Sequence, residues 1–294
     1  MTASASGCSG CRHDEAQAKP APEQLPPLSS PSPTTTLAVP GFGEAVTVVP
    51  VGATRPAPVV VAVIGIGDTP EEQCAAWRDI VGPRAFVVCP RGVPNFVRPE
   101  TPEQPGAGSP DEPPPDEQQA AAEGEEPPPP QDVQPRQVGF YEPDAGRLEK
   151  EIDAALAALE KKWGPHVASR DVLYAGFSRG AFLGAQLAPK RVDRFKRVVL
   201  VEGGHSPWTA ETAALFAKGG GARVLFACGR QECVDDALGA AAVLAKQKVE
   251  TKTVFGEGEG HDYKKQVKAE LRRSLDWVTE GDPLWQTPFA GAQR

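Results

Sequence analysis

The sequence predicts an α/β domain with a mostly parallel central sheet and helices on both faces. Two observations predict the class. Seven short β-type runs alternate with six helical ones, and one β-type run passes straight into a small-residue helix through Gly176-Phe177-Ser178-Arg179-Gly180. Alternation of this kind is what helical crossovers between parallel strands require. A third observation sets the size. Residues 1–40 are rich in Pro, Ser, Thr and Ala, and 98–137 holds 12 prolines, 10 acidic residues and two arginines. Both read as disordered, the first as a tether and the second as an insertion within a domain spanning 41–285, with 286–294 a tail. About 205 residues remain, enough for one sizeable core.

In chain order the β-type runs fall at 45–51, 58–64, 85–89, 171–175, 197–201, 223–227 and 249–255, and the helical runs at 70–81, 144–162, 181–188, 210–218, 235–246 and 263–279. Val59-Val60-Val61-Ala62-Val63 and Val172-Leu173-Tyr174-Ala175 are apolar without a break, as strands buried on both faces are. Leu148, Ile152, Leu156 and Leu159 recur at helical spacing, with charged residues between them. The run 181–188 is mostly apolar and stops at Pro189. Only about twenty residues separate Gly203 from Arg223, and half of them read as one helix, so there is no room for a large lid.

The charge of the acidic insertion, −8, equals the formal net charge of the whole chain, so the folded remainder is balanced. No basic face is visible, which argues against a nucleic-acid partner, and the insertion itself reads as a solvated spacer. No run of 18 apolar residues predicts a transmembrane helix. Ala5-Ser6-Gly7-Cys8, followed by a proline-rich stretch, resembles the end of a bacterial lipoprotein signal whose upstream part is missing. The expectation is a cell-envelope lipoprotein, or a cytoplasmic protein if no such segment exists. The six cysteines form three near pairs: Cys8 with Cys11, Cys74 with Cys89, and Cys228 with Cys233. A Cys228–Cys233 disulfide would staple its loop; buried thiols are the alternative. Cys8, Cys11 and His13 are a weak ligand cluster, and no metal is expected.

Ser178 is placed where a strand turns sharply into a helix, with Gly176 and Gly180 supplying the small residues this close approach needs. A helix N-terminus beside the hydroxyl would aim backbone N–H groups at an oxyanion, that of Arg179 among them. His261 lies far downstream, in a glycine-rich loop after the last β-type run. In these features, from about residue 41 to 285, the chain resembles the α/β-hydrolase fold family. It is similar to compact carboxylesterases and to dienelactone-hydrolase-like and polyester-depolymerase-like proteins.

The resemblance implies a serine hydrolase that cleaves ester or related acyl bonds, with the order Ser, acid, His. Ser178 is then the nucleophile and His261 the general base. Family members commonly carry the acid three residues after a glycine in the loop following the next-to-last strand, which selects Glu232. Asp235 is the alternative, although it also suits the first turn of a helix. Glu202, at the end of the preceding strand, is the third choice. The second oxyanion donor is expected at Ile66, with Gly67 next, in a loop where Ile64 replaces the family's usual histidine. Trp208 and His205 are candidate walls of an open cleft for small ester substrates. No organic cofactor is implied. A serine peptidase on the same fold is the rival enzyme reading. A non-catalytic binding protein of the cell envelope is the rival from another class.

Overall fold

The architecture is built on strands whose two faces are both buried. A computed structural model describes residues 24–97, 136–141 and 145–286. Its elements, in chain order, are β1 (Thr34–Leu37), β2 (Ala45–Val48), β3 (Ala57–Val63), α1 (Pro70–Val81), β4 (Phe86–Cys89), β5 (Val93–Val97), β6 (Arg136–Phe140), α2 (Ala145–Trp163), β7 (Val167–Phe177), α3 (Arg179–Leu187), β8 (Arg197–Val201), α4 (Ala210–Lys218), β9 (Arg223–Cys228), α5 (Gln231–Lys246), β10 (Glu250–Phe255), α6 (Gln266–Thr279) and α7 (Pro283–Gln286).

Eight strands form one sheet in the order β1-β2-β4-β3-β7-β8-β9-β10. From β4 to β10 every neighbouring pair is parallel; β1 and β2 complete it as antiparallel strands. The Val-rich run of β3 is fully buried, and its side chains alternate between two cores. Val59, Val61 and Val63 pack with Leu148, Ile152, Leu156 and Leu159 of α2 and with α3 to α5, while Val60 and Ala62 pack with Trp77 and Ile80 of α1 and Leu271 and Leu275 of α6. Helices therefore cover both faces. The Thr69 hydroxyl caps α1 by accepting the N–H of Glu72, with Pro70 in the first turn. Cys74 of α1 is bonded to Cys89 of β4, and Cys228 to Cys233, so both pairings left open by the sequence are disulfides.

The later part of the segment expected as a tether over 1–40 is folded. Leu28 is buried, the N–H groups of Leu25 and Leu28 donate to the carbonyls of Thr54 and Ala53, and β1 pairs with β2 along its whole length. The outer edge of β2 would otherwise present unpaired backbone groups, and the Thr-rich run 34–37 satisfies them. β5 and β6 pair antiparallel, from Val93 opposite Phe140 to Val97 opposite Arg136, so the chain leaves for and returns from the acidic segment at one place. Residues 98–135 lie outside the described residues, as do the lipoprotein-like Ala5–Cys8 motif, Cys11 and His13. Among the described residues no helix is long and apolar enough to cross a membrane.

The entry of the chain into this hairpin is anchored by Glu151 of α2, whose carboxylate accepts the N–H groups of Arg91 (3.0 Å) and Gly92 (3.1 Å). Burial pushes the Glu151 carboxyl up, against the opposing pull of those N–H donors. A folded-state pKa above the unfolded one gives stability that is complete below the unfolded value, about 4.3, and is lost as pH rises through the folded value. Glu151→Gln keeps an acceptor for both N–H groups and removes the titration. Its stability relative to wild type is therefore expected to improve as pH rises above the unfolded value in urea unfolding; a difference independent of pH would count against this account.

Candidate active site

Three loops at the carboxyl edge of the parallel strands converge. Ser178 follows β7 and precedes α3 with φ 50° and ψ −109°, a backbone that a side chain rarely adopts. The turn is forced by contacts on both sides. A Cβ on Gly176 would lie 2.4 Å from the Gly180 carbonyl, and one on Gly180 would lie 2.4 Å from the Val63 carbonyl of β3. The buried Tyr174 hydroxyl donates to the Gly180 carbonyl (2.7 Å), and the Ser178 N–H donates to Val201 of β8 (2.8 Å). Ser178 Oγ is thereby held at the sheet edge.

His261 reaches it from the loop after β10. Its Nε2 stands 2.9 Å from Ser178 Oγ. The imidazole lies 5.1 Å from the Phe177 ring, which also packs on Tyr263. Tyr263 in turn donates to Gln73 of α1. Glu259 secures the loop from the other side by accepting the N–H groups of Lys265 and Val267 at the start of α6.

The carboxylate at the other ring nitrogen belongs to Glu202. Its Oε2 is 2.9 Å from His261 Nδ1, and its side chain is 0% exposed. Glu232, the acid selected by family spacing, is instead exposed on the first turn of α5, and Asp235 is exposed one turn further along, accepting from Gln231. The physical reason is local. Glu202 takes φ 51° as it leaves β8. Its Oε1 accepts the N–H groups of Gly229 (2.6 Å) and Arg230 (3.3 Å), and its Oε2 accepts Arg230 Nε (2.8 Å). The β9–α5 turn thus supplies the donors that hold this carboxylate, while the carboxylate itself comes from one strand earlier. Gly229 allows the approach, since a Cβ there would lie 2.4 Å from the Gly260 carbonyl of the His261 loop. Arg230 was not singled out from the sequence; an arginine in a loop already assigned an acid carried no signal of its own.

A cleft of about 650 Å³ opens beside Ser178. Ile66, Arg179, Gly203, His205, Trp208 and Val243 are among its lining residues. Ile66 is 59% exposed in the loop after β3, while Ile64 is buried in the core. Trp208 is buried at the cleft and packs edge-on against Phe216 (5.3 Å). His205 is half-buried, its pKa lowered by burial against the opposing pull of Asp236 and Glu202, and its Nε2 is 3.6 Å from Cys233 Sγ. Neither Trp208 nor His205 bonds Ser178 or His261. His205, Cys228 and Cys233 group their ligand atoms within 4.8 Å, but the two sulfurs are joined to each other and offer no thiolate to a metal. Between β8 and β9 the chain has room only for α4 and its connections, so this segment forms no large lid over the cleft.

No family model matches the sequence, and no curated protein is similar to it in sequence. Solved structures are similar to it in fold. A ferulic acid esterase aligns at 12% identity over 84% of this chain and 96% of its own, with a TM-score of 0.52. FphF, a fluorophosphonate-binding serine hydrolase of Staphylococcus aureus, aligns at 11% identity over 83% and 96%, with a TM-score of 0.51. TT1662 of Thermus thermophilus aligns at 16% over 84% and 98%, also at 0.51. With the sheet order and the crossovers above, the chain has the α/β-hydrolase fold.

Proposed function

We propose that this protein is a serine hydrolase that cleaves ester bonds through an acyl-enzyme, with Ser178 as nucleophile, His261 as general base and Glu202 as the orienting acid. The observation that carries the reading is the unbroken relay of two 2.9 Å contacts, Ser178 Oγ to His261 Nε2 and His261 Nδ1 to Glu202 Oε2. Likeness to an esterase and to a fluorophosphonate-binding hydrolase supports it. In the first half-reaction Ser178 Oγ bonds to the ester carbonyl carbon as His261 takes its proton; the C–O bond to the alcohol then breaks and His261 returns the proton to the leaving oxygen. Water, deprotonated by the same imidazole, bonds to the acyl carbon; the bond from that carbon to Ser178 Oγ then breaks, His261 returns the proton to Oγ, and the acid is released with the enzyme restored. Glu202 stabilises the imidazolium of both steps.

The oxyanion is assigned to the backbone N–H of Arg179, in the first turn of α3 where helical N–H groups have no internal partner, and to that of Ile66. The replacement of the family's histidine by Ile64 leaves such a hole intact because the donors are main-chain. The open cleft, with Trp208 and His205 as walls, fits small soluble esters or exposed ends of larger ones. A peptidase reading draws support from an acylaminoacyl peptidase that aligns at 13% identity with a TM-score of 0.50, although this chain covers 40% of it.

A fluorophosphonate probe tests the reading. The expected result is a covalent adduct in wild type and none in Ser178→Ala, followed by turnover of p-nitrophenyl esters in preference to aminoacyl p-nitroanilides. Failure of the folded wild type to form an adduct would favour the binding-protein alternative, and preference for the anilides would favour the peptidase.

A further inference from the structure

Arg230 belongs to the same constellation, and its position raises a chemical conflict that the relay alone does not. Its Nε donates to Glu202 Oε2 at 2.8 Å, on the oxygen that faces His261, and its Nη2 lies 3.0 Å from His261 Nδ1. Nδ1 cannot donate to Glu202 and accept from Arg230 at once. In one tautomer Nδ1–H donates to Glu202 and Nε2 is free to accept the Ser178 proton. In the other, Arg230 donates to Nδ1, Nε2 carries the hydrogen, and the ring cannot act as a base. The doubly protonated ring satisfies Glu202 but sets its Nδ1–H beside a guanidinium.

From this geometry we infer that Arg230 is a positioning residue that sets the lower pH limit of the His261 base by opposing protonation of the imidazole through charge. The inference rests on the triad reading above. Among the described residues, the other charges around the ring are arranged so that Arg230 is the cation in contact with it. Glu202 faces the ring from β8; Asp262 and Lys264, on its own loop, are paired with each other at 3.7 Å; Asp68 faces those two from the β3–α1 loop. The guanidinium is also fixed at its root. Its backbone N–H is bonded to Glu202, and the Cys228–Cys233 bridge closes the short loop that carries it.

The test is the pH dependence of the rate of fluorophosphonate labelling in wild type, Arg230→Gln and Arg230→Lys. Removing a positive charge in contact with the ring favours the imidazolium, so a higher pH is needed to free the base. The acid limb in Arg230→Gln is expected to move up by about half to one pH unit, a value reduced for the partial exposure of the side chain. In Arg230→Lys, which keeps the charge, it is expected to stay near wild type. An unmoved limb in Arg230→Gln, or an equal shift in both variants, overturns the inference. If wild type shows no Ser178-dependent labelling, the triad reading fails separately. The inference is then decided by NMR titration of the His261 ring, whose signals must titrate at higher pH in Arg230→Gln than in wild type.

Discussion

Glu202→Gln is expected to lower kcat/KM for a p-nitrophenyl ester by about 10⁴, Ser178→Ala by about 10⁶, and the double variant by no more than Ser178→Ala alone. Glu232→Gln and Asp235→Asn are expected to stay within about twofold of wild type. The size of the Glu202 effect follows from its surroundings. Its carboxylate is fully buried, and Oε2 accepts from both Arg230 Nε and, when the ring is productive, His261 Nδ1–H. An amide presents either an uncharged oxygen or an NH₂ to that nitrogen. In the second case the ring is driven to the tautomer that cannot accept the serine proton. In either case the imidazolium loses its counter-charge, which in a buried setting is worth far more than at the surface. Glu232 and Asp235 are exposed on α5, so their loss leaves the relay untouched. Steady-state kinetics on wild type and the five variants decides the matter. A Glu232→Gln loss as large as that of Glu202→Gln would return the acid to the position that family spacing selects.

The contrast between these two glutamates shows where sequence reading stops. The meeting of Ser178 and His261 was legible because each is announced locally: the serine by a strand, a pair of glycines and a helix, and the histidine by a glycine-rich loop after the last strand. The alternation of strands and helices was legible for the same reason, since an uninterrupted apolar run such as Val59–Val63 states its own burial on both faces. The acid has no such local mark. β8 and β9 are neighbours, both lead into loops holding carboxylates, and the choice depends on a single positive φ at Glu202 and on donors from Gly229 and Arg230, 27 and 28 residues away in sequence. β1 was hidden by composition. Its Thr-rich run resembles the tail before it, and what makes it a strand is the unpaired edge of β2. β5 and β6 escaped because their pairing spans the acidic segment between them, so neither carries the turn signal of a short hairpin.

The second large effect is expected at the elbow, from the addition of one methyl group. Gly180→Ala places a Cβ 2.4 Å from Val63 O and 2.8 Å from Ile64 O, and Gly176→Ala places one 2.4 Å from both C and O of Gly180. These are backbone atoms of β3, the loop that follows it, and α3, and they cannot swing aside as the end of a side chain can. Each substitution must separate the helix from the sheet at the point where Ser178 is presented. The expected cost is about 3 kcal/mol or more of folding stability together with loss of labelling. Gly239 on α5 is the control, because a Cβ there meets nothing within 4 Å; Gly239→Ala is expected to stabilise by roughly 0.5–1 kcal/mol. Ser178→Gly adds the converse test. It relieves the strain of a side chain at φ 50°, a conformation costing about 1–3 kcal/mol, so urea unfolding should show a gain of about 1 kcal/mol in a protein that forms no adduct. The same backbone that destabilises the fold at this residue is what turns the hydroxyl out of the sheet and toward His261. Unchanged stability in Gly180→Ala, or a loss in Ser178→Gly, would mean that the elbow is held by something other than this close approach.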